Sequence, residues 1–347
     1  MNQLYAVTLL SFSLALASKP QWSKEEDRIN GRIEKAKLVK MRSTTDSLIS
    51  FSQEWMTEGQ YNLLWHGEYF SEKLTGTPQM KFGAACNIGD ASANLMIMAN
   101  DLSPLMDHIS LNNHDYMTMI PVKAFRKDCP YFEIDGQADD GSTIRNRFWL
   151  VTNDNQHQPY TPVSQKEYLE EARMELKHEK EAIIAELSRK MPVRSQEVQQ
   201  AEKKGAIEQL NNSYSGVDLQ MRIRMFERDY RSDEDYLKAN VEKATCGLDS
   251  TLHIMDSLLK NTPAEELKRP AMIAGTTESF TGFTETGEER MLVKMNPAYF
   301  SPYLGSEKAQ LLLVSWSFAP DAENAADLDR QLQAKLDATR LRSLLEK

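Results

Sequence analysis

Three cysteines in 347 residues, none of them in a CxxC pair, leave no room for a disulfide scaffold or a zinc site of the paired-cysteine type. Catalytic signatures are missing as well. There is no HExxH, no GxSxG nucleophile elbow and no GxGxxG behind a strand pattern. Gly282 and Gly287 have the spacing of a phosphate loop, but Glu288 and Glu289 stand where Lys and Ser/Thr would have to be. Net positive charge is lacking too: 51 acidic against 41 basic residues leave a formal net of -10. Residues 18–42 hold 8 basic and 4 acidic side chains, whereas 43–163 hold 7 basic and 15 acidic ones. Such a surface repels a phosphate backbone, so nucleic acid is excluded as a partner. No charged side chain occurs in residues 1–17, and proline is absent from 165–260 except at Pro192.

What is present begins with that uncharged leader. It runs apolar from Tyr5 to Leu16 and closes on Ala15-Leu16-Ala17 before the polar Ser18-Lys19-Pro20-Gln21. The apolar run falls short of the ~20 residues that cross a hydrocarbon core, and its small-x-small ending suits signal peptidase. A signal peptide over 1–17 is expected, with cleavage before Ser18, a periplasmic or extracellular mature protein, and no transmembrane segment in it. An odd cysteine count leaves at least one free thiol. Cys86 and Cys129 lie in strand-like surroundings and are open to pairing or to separate burial, while Cys246 in a helical pattern is expected to pack as a small hydrophobe.

With 41% hydrophobic residues the chain has material for real cores. Residues 165–260 form a charged block with apolar residues at helical spacing. Ser164 with Glu167 makes a capping box, and Leu169, Ala172, Leu176, Ile183 and Leu187 then share a face. After Met191-Pro192, Ser195 opens a second helix. A third aligns Leu219, Ile223, Phe226 and Tyr230. Ser232 with Asp235 opens the longest, in which Leu237, Val241, Ala244, Leu248, Met255 and Leu259 follow a nearly coiled-coil rhythm. On both sides of the block, residues 81–88, 94–99, 117–125, 131–137, 143–151, 290–295 and 311–318 read as strands. The expected class is therefore α+β: a mostly antiparallel sheet domain interrupted by a helical hairpin or bundle at 162–268. Its sheet would draw on 18–161 and 269–320, with helices at 24–55 and 321–347. Two separate β domains is the alternative.

The candidate site residues are few. His66 with Glu68, and His108 with His114 and Asp115 in a loop-like stretch, supply the types from which a general base or metal site is built. Their spacing requires neither, and surface or core roles account for them. Asp135, Asp139 and Asp140 around Gly141 miss the EF-hand pattern and are explained as turn residues. Tyr131, Phe132 and Trp149 pose a choice between a sugar-stacking platform and a core, with the core favoured. No cofactor and no metal are expected.

Three strings, Trp65-His66-Gly67-Glu68-Tyr69-Phe70, the stretch from Pro162 to Leu169, and Asn296-Pro297-Ala298-Tyr299-Phe300, resemble uncharacterised exported proteins of Bacteroidetes type. The resemblance implies export and no activity. The expected role is a binding or structural interaction module with a protein or glycan partner. The alternative is a hydrolase acting on glycan or peptide outside the cytoplasm, with His66, Glu68, His108, His114 and Asp115 as its candidate residues. The absence of nucleophile motifs weighs against an enzyme.

Overall fold

The computed structural model describes residues 21–57, 62–70, 83–89, 93–137, 141–153, 158–274, 277–283, 289–300 and 309–345. The expected leader, Asp139, Asp140 and Gly287 lie outside these residues. The first part of the chain gives β1 (Gln21–Lys24), β2 (Arg28–Asn30), α1 (Lys35–Trp55), β3 (Asn62–Phe70), β4 (Gly83–Gly89), β5 (Ala93–Ala99), β6 (Met106–Leu111), β7 (His114–Met119), β8 (Ala124–Arg126), β9 (Cys129–Gln137), β10 (Thr143–Thr152) and β11 (Tyr160–Pro162). Then follow α2 (Gln165–Lys190), α3 (Gln196–Ser213), α4 (Gly216–Asp229), α5 (Asp233–Asn261), β12 (Met272–Ile273), β13 (Arg290–Met295), α6 (Pro297–Phe300), β14 (Leu311–Phe318), α7 (Glu323–Lys335) and α8 (Ala338–Arg342). Helix and sheet are mixed, as an α+β protein requires. A nine-stranded sheet has the order β1-β3-β4-β5-β14-β10-β9-β8, with β2 also on β3, and a smaller one the order β11-β13-β7-β6, with β12 on β13.

The chain divides into two compact units. The first takes residues 1–109, 117–161 and 293–347 and contains the nine-stranded sheet. Its pairings are antiparallel except for β1 and β2, which run parallel to β3. Alternation decides which side chains meet. Leu95, Ile97, Leu312, Val314, Trp316, Trp149, Val151 and Tyr131 fall on one face, where Met41, Leu48, Ile49 and Trp55 of α1 and Leu328, Leu332 and Leu341 of the C-terminal helices cover them. Tyr131, Phe132 and Trp149 are all buried, which removes them as an exposed stacking platform.

Two local readings are corrected here. The helix expected at 24–55 begins only at Lys35, and Gln21–Lys24 and Arg28–Asn30 are edge strands on β3. Residues 24–30 hold Ile29 as their one apolar side chain and so have no stripe to bury as a helix, whereas pairing with β3 satisfies the backbone of both short strands. The C-terminal helix is likewise two helices, because Leu336 leaves helical geometry and the Asp337 side chain caps α8 by accepting from the Thr339 and Arg340 amides. A disulfide between Cys86 and Cys129 is also excluded. Cys86 is on β4 and Cys129 on β9, four strand steps apart in the sheet, roughly 19 Å, whereas a bridge needs α-carbons within about 7 Å. Cys129 is a buried free thiol, and burial pushes its pKa up while Arg342 Nη2, 3.2 Å from Sγ, opposes that.

The second unit takes residues 110–116 and 162–292. α2 and α5 lie against each other, joined across their outer edges by Arg173–Asp256 at 2.8 Å and Lys180–Asp249 at 2.5 Å. Ser164, Ser195 and Ser232 each accept a hydrogen bond from the amide three residues on, so three helices begin at side-chain caps. The buried seam of α2 is Leu169, Ala172 and Leu176. That of α5 is Thr245, Leu248, Thr251, Leu252 and Met255. Ala244 is exposed, so the seam passes through Thr245 instead, which keeps the three-four rhythm from Val241 to Leu248. Cys246, one step off that seam, is exposed, contrary to the packed role expected of it. At the far end, buried Gln199 ties the helix joints together: its Nε2 donates to the Arg194 carbonyl, its Oε1 accepts from the Asp233 amide, and its carbonyl accepts from Tyr230 Oη.

Candidate functional site

His66 and Glu68 are two residues apart on β3 and so share a face of the strand. His66 Nε2 lies 3.0 Å from Glu68 Oε1, and Nδ1 lies 3.4 Å from Glu25 Oε2. The parallel strands β1 and β2 bring the remaining charges. Arg28 pairs with Glu68 at 3.1 Å, while Asp27 takes Arg42 Nε at 3.0 Å and the Gly67 amide at 3.2 Å. A neutral imidazole donates from one nitrogen, an imidazolium from both, so the two carboxylates orient the ring in the way a general base is oriented. Yet the His66 side chain is only 8% exposed, and Glu68 is also engaged by Arg28. Opposite this face, Tyr69 lies over Gly67 and is buried. Glu25, Asp27, Arg28 and Arg42 were not among the expected site residues, because residues 24–30 read as the start of a helix and no local signal announces a parallel edge strand whose partner is some forty residues away.

His108, His114 and Asp115 belong to a β-hairpin and not to a loop. Asn112 and Asn113 both take positive φ, 50° and 61°, which is the two-residue turn that matches the twist of paired strands. The Asn-Asn dipeptide was the available signal, since asparagine tolerates the left-handed region. All three side chains are exposed. In the second unit the tip of this hairpin meets a row of acids one helical turn apart on α2: Asn112 Nδ2 donates to Glu171 at 2.7 Å, the Asn112 amide to Glu175 at 3.2 Å, and Tyr116 Oη to Glu167 at 3.3 Å. Desolvation first, and the charges of Glu167 and Glu171 after it, push the Tyr116 pKa upward. His114 Nε2 is 4.0 Å from Glu171 and is largely exposed. His66 therefore shares its surroundings with Glu68, and His114 with Glu171. Among the described residues no group of three or more His, Cys, Asp or Glu is placed to hold a metal ion.

Two cavities lie elsewhere. In the first unit Arg126, Lys127, Tyr131, Trp149, Trp316, Gln333 and Leu336 surround a space of about 30 Å³, room for one water. In the second, a cleft of about 340 Å³ is lined by Gln165, Leu258, Thr262, Glu266, Arg269, Pro270, Met272 and Phe283. Neither is lined by His66, Glu68, His108, His114 or Asp115; the first has Tyr131 and Trp149 in its wall, but at that volume it has no room for a sugar. One helix stands apart: α4 buries no residue, and Val217, Met221 and Met225 are 85%, 54% and 48% exposed.

Comparison with protein-family models, with curated proteins and with solved structures gives no match. Among the described residues no helix is long and apolar enough to cross a membrane.

Proposed function

We propose that this chain is an exported binding protein whose helices at 162–268 are an insertion in a β-rich domain and offer α4 to a protein partner. The observation that carries the reading is the two-sided apolar character of α4. Leu219, Ile223, Phe226 and Tyr230 share one side and are half-buried, Tyr230 reaching Gln199 of α3. At 100° per residue, Val217, Met221 and Met225 fall on the opposite side, where the structure leaves them exposed. A helix apolar on two sides has more to bury than its own unit covers, and methionine adapts to varied partners. Export rests on the leader and on Ala15 and Ala17, and predicts that the secreted chain begins at Ser18 by intact mass; a retained Met1 there refutes it.

The test of the partner surface is a photo-crosslinking residue placed at Val217 or at exposed Lys204 in cells that export the chain. One discrete protein adduct is expected from Val217, lost with Met221→Glu and absent from Lys204. No adduct, or the same adducts from both positions, overturns the reading. The hydrolase alternative keeps one favourable observation, the 3.0 Å approach of His66 to Glu68.

A further inference from the structure

The cleft of the second unit is built from four separate stretches: the first residue of α2, the end of α5, the turn that follows it, and Phe283. Backbone hydrogen bonds hold its rim. The Gln165 amide donates to the Arg269 carbonyl at 2.9 Å, the Lys166 amide to Leu267 at 3.0 Å, and the Ala271 amide to Val163 at 2.8 Å. Phe283 is set edge-on against Tyr168 and Phe280, with ring centroids 5.8 and 5.1 Å apart, so the aromatic wall is fixed before anything binds. Leu258, Pro270 and Met272 complete an apolar floor.

Around that floor stand Gln165, Thr262, Glu266 and Arg269, and among the described residues none of these four side chains has a hydrogen-bond or ion-pair partner. Glu266 and Arg269 are exposed at the rim of the cleft, whereas Gln165, Thr262, Met272 and Phe283 are half-buried. Glu266 and Arg269, three residues apart in one turn, carry opposite charges into the same cleft without pairing with each other. About 340 Å³ falls within the ~300–1,000 Å³ of small-molecule sites.

We propose that this cleft binds a free α-amino acid with a large apolar side chain. Arg269 takes the carboxylate through its planar fork of donors, Glu266 takes the ammonium, and the side chain lies on Leu258, Met272 and Phe283. A zwitterion answers both Glu266 and Arg269 where a ligand with a single charge answers only one, so the zwitterion is the tighter ligand.

Calorimetric titration of the mature chain with L-phenylalanine, N-acetyl-L-phenylalanine and L-phenylalaninamide tests this. L-phenylalanine is expected to bind, and each derivative to bind at least about tenfold more weakly, the loss expected for one charged hydrogen bond. Arg269→Gln should weaken L-phenylalanine while leaving the amide unchanged, and Glu266→Gln should weaken L-phenylalanine while leaving the N-acetyl compound unchanged. A general structural defect would not sort the ligands in this way, and the wild-type series stands even if a variant misfolds. No heat from millimolar L-phenylalanine, or equal binding of all three compounds, overturns the proposal.

Discussion

Tyr69 lies across Gly67 so closely that a β-carbon on Gly67 would stand 2.2 Å from the phenol oxygen and 2.5 Å from the ring carbon bearing it. The two residues share a face of β3, and Tyr69 is only 1% exposed, so the ring has no space into which to retreat. Gly67→Ala is therefore expected to cost about 1–3 kcal/mol, the range for overpacking a filled core. Tyr69→Ala removes the obstacle, so the double variant should be little less stable than Tyr69→Ala alone. Urea unfolding of the three variants measures this, and strict additivity would show that the contact is not the cause.

Asp329 joins α7 to the large sheet through buried polar contacts. Its Oδ1 accepts from Trp316 Nε1 at 2.9 Å and lies 3.2 Å from Arg147 Nε, and its Oδ2 accepts from Gln333 Nε2 at 2.7 Å. Both Arg147 and Asp329 are buried. Asp329→Ala should lose about 3 kcal/mol in denaturant unfolding, because it takes the acceptor from Trp316 Nε1 and leaves the buried Arg147 with Glu133, 3.7 Å away, as its carboxylate. Arg147→Met combined with Asp329→Leu should recover most of that loss. A single variant no less stable than wild type would contradict the assignment.

Arg194 holds Asp233 through Nε at 2.8 Å, Nη2 at 3.0 Å and its own amide at 3.0 Å, and these bonds lower the Asp233 pKa to about 2. The folded value lies below the unfolded one of about 3.9, so the contribution is present in full above about pH 4 and is lost as pH falls through 2. In a carboxyl-carbon NMR titration Asp233 should turn over near pH 2, and Arg194→Met should return it towards the ordinary range. An unchanged midpoint in that variant would remove the arginine as the cause.

The core of the first unit draws no residue from 162–268. Replacing those residues with a short Gly/Ser linker should therefore leave a β-rich remainder with a cooperative thermal transition, and the excised piece should show a helical circular-dichroism spectrum. An unfolded remainder would refute the insertion proposed above.

Much of the helical block was legible in the chain because its causes are local. Ser164, Ser195 and Ser232 cap their own helices three residues on, and Leu169, Ala172 and Leu176 meet one face simply through the helical repeat. The strands of β9 and β10 on either side of the Gly141 turn were legible for the same reason.

What only the tertiary structure decided are pairings between distant segments. Gln21–Lys24 is a strand because β3 accepts it, and Glu25 and Arg28 thereby reach His66 and Glu68. Cys86 and Cys129 look alike locally, yet strand order puts β5, β14 and β10 between their strands. The shift of the α5 seam from Ala244 to Thr245 required a partner helix to choose among adjacent positions of one repeat. The cleft around Arg269 joins residues from 165 to 283, and no periodicity spans that distance. Propensity and patterning act over a few residues, so they determine which segments become helices or strands; which backbone edge and which side chain each then meets is settled by packing across the whole chain.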